Sequence, residues 1–162
     1  MVLDGVFIAT HGSGATPSIV LVHGAPDRSS TFRDVLTELA DCRVVVYDRR
    51  GYGRSIGASA AAAMDDHAAD LLEILSSLAP PRVVVAHSFG SNATMLAVAQ
   101  RPQLFGAVGL WEPPLVWSDI WPQSVKDYNA SVASSNDPGA TIEAMGPRPL
   151  RVVGHRLASG RL

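Results

Sequence analysis

Short runs of consecutive apolar residues alternate along the chain with segments whose apolar residues recur every three or four positions. Continuous runs of this length are typical of strands buried on both faces, and the longer period is typical of amphipathic helices. The apolar runs are residues 5–10, 18–22, 43–47, 82–87 and 105–111. The periodic segments are residues 31–40 and the stretch carrying Leu71, Ile74, Leu75 and Leu78, and residues 93–100 are also predicted to be helical. The pattern therefore predicts strands that alternate with helices.

Such alternation predicts an α/β fold, because neighbouring parallel strands need a crossover connection that a helix supplies. We expect a mostly parallel sheet with helices on both faces. Asp4-Gly5 is a hairpin-turn signal ahead of the first run, and Ser29 and Ser30 are candidate N-caps for the first helix. After Trp111 the alternation fades, so we expect the sheet to be incomplete at its C-terminal end.

Composition narrows the classes of function. The formal net charge of the 162 residues is -2, and the short basic cluster of Arg49, Arg50 and Arg54 is expected to be a solvated or locally paired turn. Neither feature favours nucleic-acid binding, which needs Lys and Arg side chains clustered on one face of the protein. A single cysteine, Cys42, excludes an internal disulfide and a multi-cysteine metal site. With no signal peptide and no long apolar segment, we expect a cytoplasmic protein without membrane contact.

The segment 83–93 carries the most informative chemistry. It runs from a predicted strand through a tight turn into a predicted helix, with Ser88 at the turn and the small residues Ala86 and Gly90 two positions to either side. A nucleophile elbow needs this arrangement, because its strained turn lifts the serine hydroxyl above the sheet. A helix N-cap serine is the alternative, and the strand before the turn favours the elbow.

Two further motifs precede the elbow. His23-Gly24-Ala25-Pro26 follows the strand 18–22, and the segment 48–55, DRRGYGRS, follows the strand 43–47. Together the three motifs resemble the α/β-hydrolase family over residues 5–114. The resemblance implies an α/β-hydrolase core in residues 1–114, and the start of a cap-like segment with an irregular tail in residues 115–162.

The same resemblance assigns roles at the elbow. Ser88 is the implied nucleophile, and the backbone N–H groups of Ala25 and Phe89 are the implied oxyanion hole. His23 is expected to bond the turn backbone rather than to carry protons. The segment 48–55 is expected to be a structural loop.

The rest of the triad must follow in the family's order of serine, acid and histidine. Glu112, directly after the strand that follows the elbow, is the candidate acid, and His155 is the candidate base because no other histidine follows His87. Asp119, Asp127 and Asp137 are weaker acid candidates. For His155 the alternative is an ordinary histidine in an arginine-containing tail.

The leading hypothesis is a serine hydrolase that acts on a small ester, or a related acyl substrate, through an acyl-enzyme on Ser88. No metal or cofactor is implied, and a cofactor-free perhydrolase would use the same residues. Epoxide hydrolase and dehalogenase chemistry is disfavoured, because it needs a carboxylate nucleophile.

The alternative is a shortened, inactive relative that acts at most as a small-molecule-binding module. A homo-oligomer paired through an open sheet edge is a third hypothesis.

Overall fold

The computed structural model describes residues 3–59, 61 and 63–114. Within them lies a five-stranded sheet in the order β1-β3-β2-β4-β5. The strands are β1 Ile8–His11, β2 Ser18–Val22, β3 Arg43–Tyr47, β4 Arg82–His87 and β5 Ala107–Trp111, and the α-helices are α1 Arg33–Glu38, α2 Met64–Ser76 and α3 Phe89–Gln100. The α/β fold predicted from the pattern is confirmed.

Four of the strands are parallel, and β1 is antiparallel to β3. The direction of β1 follows from its connection, since six residues lead from β1 to β2 and no helix returns the chain to the starting edge. A tight turn at Asp4-Gly5 precedes it, in which the Val6 N–H donates to the Leu3 carbonyl oxygen at 2.8 Å. The turn signal was therefore correct, and the run 5–10 shortens to a four-residue strand that begins at Ile8.

Helices cover both faces of the sheet. On one face, α2 and α3 bury Leu71, Ile74, Leu75 and Ala97 against strand residues that include Val20, Val45 and Val84. On the other face, Phe32 and the first helix pack on Leu21, Val44 and Val46. Neighbouring strand residues thus point to opposite cores, which explains why the strands are apolar throughout rather than alternating.

Two helices begin at residues other than those predicted from the sequence. The first is a 3-10 turn, Ser29–Phe32, that leads into α1. Neither part has a side-chain N-cap, because Arg28 and Phe32 occupy the cap positions, and the Ser29 hydroxyl donates to Asp48. The third begins at Phe89 rather than Ala93, because the turn at Ser88 passes directly into it. No helix of the described residues is both long enough and apolar enough to cross a membrane.

The sheet brings four chain segments to one edge. The carboxyl ends of β2, β3, β4 and β5 are followed by His23, Asp48, Ser88 and Glu112. Parallel strands end at the same edge of a sheet, which is where open α/β sheets carry their sites. All the motifs singled out in the sequence therefore meet there.

Candidate active site

Ser88 occupies a strained turn between β4 and α3. Its backbone has φ 48° and ψ -124°, a conformation that residues with a side chain rarely adopt. The turn is held from both sides, because the Ser88 N–H donates to the Trp111 carbonyl oxygen and the Ser91 N–H donates to the Ser88 carbonyl oxygen, each at 2.8 Å. The predicted elbow geometry is present.

The small residues beside Ser88 are required by space. Ala86 is fully buried. A Cβ atom added to Gly90 would lie 2.6 Å from the His23 carbonyl oxygen and 2.9 Å from that of Val22, closer than real contacts of this kind. Gly90 therefore lets the first turn of α3 pack directly on the end of β2.

The turn after β2 lies against the elbow. A Cβ on Gly24 would be 3.0 Å from the Ser88 Cβ and 3.1 Å from His87 Nδ1. Ala25 is half-buried beside it, and Phe89 is the first residue of α3. Among the described residues, no acceptor takes the N–H of Ala25 or of Phe89. Within the described part of the chain, both donors that the resemblance assigned to an oxyanion hole are thus unused.

His23 is a buried structural histidine. Its Nε2 accepts the Arg49 backbone N–H at 2.9 Å, and its Nδ1 lies 2.8 Å from the Gly24 carbonyl oxygen, so Nδ1 carries the proton. Burial, followed by the nearby charge of Arg49, lowers the pKa of His23 from 6.5 to about 4. The neutral ring stabilises the turn through these two hydrogen bonds, as expected from the sequence.

The basic cluster was expected to be a solvated or locally paired turn, and it differs from that prediction at Arg49 and Arg50. Arg54 is locally paired with Asp48 at 3.2 Å, whereas Arg50 pairs at 2.8 Å with Asp70 of α2, which lies 20 positions away. Arg49 is instead fully buried, and donates to the carbonyl oxygens of His23 at 3.0 Å and Gly24 at 2.7 Å. Nothing in the local sequence distinguishes Arg49 from its neighbours, since its burial depends on a turn 25 residues away.

Asp48 lies at the same edge but is committed to structure. Its carboxylate accepts the backbone N–H and hydroxyl of Ser29, and the backbone N–H and Nε of Arg54. Burial alone would raise the pKa of Asp48, but these hydrogen bonds outweigh burial and hold the pKa below its usual value. The segment 48–55 is therefore the structural loop that the resemblance implied.

Glu112 follows β5 at the edge next to Ser88. It adopts a left-handed backbone, φ 50°, and its Oε2 lies 3.6 Å from His87 Nε2. The carboxylate is largely exposed, and the His87 ring packs against Trp111 with centroids 4.9 Å apart. His87 is a neighbour of the site that the sequence analysis did not single out. The motif gave no signal for it, because the pairing forms across two strands.

The described residues do not complete a triad. No described side chain is hydrogen-bonded to the Ser88 hydroxyl, and His155, Asp119, Asp127 and Asp137 lie outside the described residues. Nor do three His, Cys, Asp or Glu side chains gather as a metal site within the described part of the chain. The site as described consists of a serine elbow, two unused backbone donors and a neighbouring carboxylate.

Comparisons with known proteins find α/β hydrolases among the relatives of this chain. An epoxide hydrolase from Caballeronia sordidicola is 34% identical over 110 residues, 65% of this chain and 33% of that protein. A solved epoxide hydrolase from an endophytic Streptomyces shares 32% identity with a TM-score of 0.55, over 67% of this chain and 35% of that chain. A solved α/β hydrolase from Sphaerobacter thermophilus shares 28% identity with a TM-score of 0.61, over 79% of this chain and 50% of that one.

This chain thus spans about a third of the length of the curated relative from Caballeronia. The sequence signature described as alpha/beta hydrolase fold matches residues 17–134, which is more than half of the chain and includes the elbow, the turn after β2 and the segment 48–55. On the match and the geometry together, the chain belongs to the α/β-hydrolase fold family.

Proposed function

We propose that the protein is a serine hydrolase that cleaves small esters through an acyl-enzyme on Ser88. The observation that carries the proposal is the strained backbone of Ser88 at the junction of β4 and α3, beside two N–H donors that have no acceptor among the described residues. A protein stores such strain where function requires it. Serine at this position, and not aspartate, separates the proposal from the carboxylate chemistry of epoxide hydrolases.

The proposed reaction has two steps. The Ser88 Oγ attacks the ester carbonyl carbon while its proton passes to a histidine, and the carbonyl oxygen becomes an oxyanion facing the N–H groups of Ala25 and Phe89. The tetrahedral intermediate then expels the alcohol, which leaves with that proton. Water, deprotonated by the same histidine, attacks the acyl-enzyme and releases the carboxylic acid, and Ser88 recovers its proton.

The base and the acid remain those that the sequence proposed. His155 is the proposed base, and Glu112 is the proposed carboxylate that orients it. Two facts support Glu112: it follows the strand next to the elbow strand, and its carboxylate points away from the core with only His87 as an ion-pair partner among the described residues. If His155 is the base, the variant His155→Gln should abolish ester turnover without changing the fold.

Substrate trials with full-length protein test the proposal. We expect p-nitrophenyl acetate and butyrate to be hydrolysed, with an acyl adduct on Ser88 by mass spectrometry, and styrene oxide to remain intact. Hydrolysis of styrene oxide would favour the activity named for the epoxide hydrolase relatives. Folded protein that binds esters without turning them over would favour the inactive binding module.

A further inference from the structure

Arg49 is a buried cation without a counter-ion in the described structure. Its side chain has no exposed surface, and no described carboxylate lies within ion-pair distance of it. Burying a charge without an opposite charge costs free energy unless polar groups replace the lost water. For Arg49 those groups are two backbone carbonyls that accept from Nε and Nη2, while Nη1 has no hydrogen-bond partner among the described residues. The contacts of Arg49 therefore indicate what the fold gains from it.

Those contacts join the two halves of the proposed oxyanion hole. Arg49 Nη2 donates to the Gly24 carbonyl oxygen at 2.7 Å, which belongs to the same peptide unit as the Ala25 N–H. The guanidinium also lies 4.7 Å from the ring centroid of Phe89, whose N–H is the second proposed donor. One side chain thus touches the peptide unit that carries the first proposed donor and the ring of the residue that carries the second.

The hydrogen bond to Gly24 has a consequence for the Ala25 N–H. In a planar trans peptide the C=O and N–H groups point in opposite directions. The Gly24 carbonyl is directed inward, to Arg49 and to the protonated Nδ1 of His23 at 2.8 Å. The Ala25 N–H of that peptide must then face away from Arg49, and Gly24 itself packs against Ser88.

The position of the Arg49 charge is a second way in which this side chain would act on the oxyanion hole. The guanidinium lies between the rings of Phe89 and Tyr52, whose centroid is 4.3 Å away, and so it is shielded from water. Positive charge in a low-dielectric setting favours negative charge that develops nearby. Arg49 would therefore make the hole both better oriented and more positive.

We propose that Arg49 is the positioning residue of the oxyanion hole: it fixes the Gly24-Ala25 peptide with its N–H toward Ser88, and it ties that peptide to Phe89. The proposal rests on the proposed function, in which Ser88 is acylated. It assigns to Arg49 a role in transition-state stabilisation that acts through backbone groups and not through contact with substrate.

Three variants of the full chain test the proposal. Arg49→Met keeps the volume and removes the charge and donors, and Arg49→Lys keeps the charge with a donor for one carbonyl. Arg50→Met is the matched control, because it removes the neighbouring guanidinium, paired with buried Asp70, without touching the turn after β2. Two readouts are compared: the ¹⁵N order parameter of the Ala25 amide, and kcat and KM for p-nitrophenyl acetate.

We expect the Ala25 order parameter to fall from about 0.85 to below about 0.6 in Arg49→Met and to stay unchanged in Arg50→Met. We expect kcat to fall about tenfold to hundredfold in Arg49→Met, with partial recovery in Arg49→Lys and KM within about twofold. An Ala25 amide as ordered in Arg49→Met as in the control would overturn the proposal, and so would equal losses of kcat in the two Met variants. If the parent chain does not acylate Ser88, the proposed function fails, and the amide measurement alone still decides the positioning role.

Discussion

The Cα of Gly90 faces the carbonyl oxygen of His23 so closely that an added Cβ would lie 2.6 Å from it. This contact joins the start of α3 to the end of β2, and it places the elbow beside the turn that carries Ala25. The geometry of the site thus depends on the absence of a Cβ atom at Gly90. The contribution of this contact to stability can be measured.

Gly90→Ala should destabilise the protein. In an unconstrained helix the change would stabilise by about 1 kcal/mol, so a loss of about 1–3 kcal/mol would show that the backbone contact dominates. Urea unfolding measures it. Gly57→Ala is the matched control, because nothing lies within 4 Å of its added Cβ, and it should change stability by less than about 0.5 kcal/mol. A stabilised Gly90→Ala variant would contradict the packing described.

Stability should fall as the pH drops from about 6.5 to about 4. His23 has a folded pKa of about 4, below its ordinary 6.5, so the unfolded chain binds more protons in this window and protonation favours unfolding. His67, whose pKa burial also lowers to about 4, acts in the same direction. The contribution of His23 is fully present above pH 6.5 and amounts to at most about 3 kcal/mol.

Urea midpoints measured between pH 7 and pH 4.5 check this pH dependence. His23→Gln should be less stable than the parent at pH 7 and should show a shallower slope. His11→Gln, at an exposed position, should keep the parent slope. Equal slopes for His23→Gln and the parent would show that His23 is not the buried neutral group described.

Glu112→Gln separates the triad role of Glu112 from its pairing with His87. Because the carboxylate is 69% exposed, the free energy of unfolding should change by less than about 0.5 kcal/mol. If Glu112 orients the base, ester hydrolysis should fall by a factor on the order of 10³–10⁴. Glu73→Gln, at an exposed position of α2, is the control and should keep full activity. Unchanged hydrolysis in Glu112→Gln would assign the acid to another carboxylate.

The strands and the elbow could be predicted from sequence because their signals are local. The run 43–47 is apolar throughout, and Ser88 stands between a strand and a helix with small residues around it. Strand pairing has no such signal, and the periodicity did not reveal that β1 pairs with β3.

Long-range contacts account for the other differences. Serine is a common N-cap residue, yet the Ser29 hydroxyl donates a hydrogen bond to Asp48, which is 19 positions away. In sequence, Arg49 is one of three arginines in a turn, and its burial depends on the distant turn after β2 and on the ring of Phe89. Such partners depend on the folded chain, so the neighbouring sequence does not reveal them.

The central claim is that Ser88 is an activated nucleophile, and labelling with a fluorophosphonate probe tests it most directly. Intact mass should show one probe adduct on the parent chain and none on Ser88→Ala, with circular dichroism confirming that both are folded. Absence of the adduct on the folded parent, or equal labelling of the two proteins, would contradict the claim.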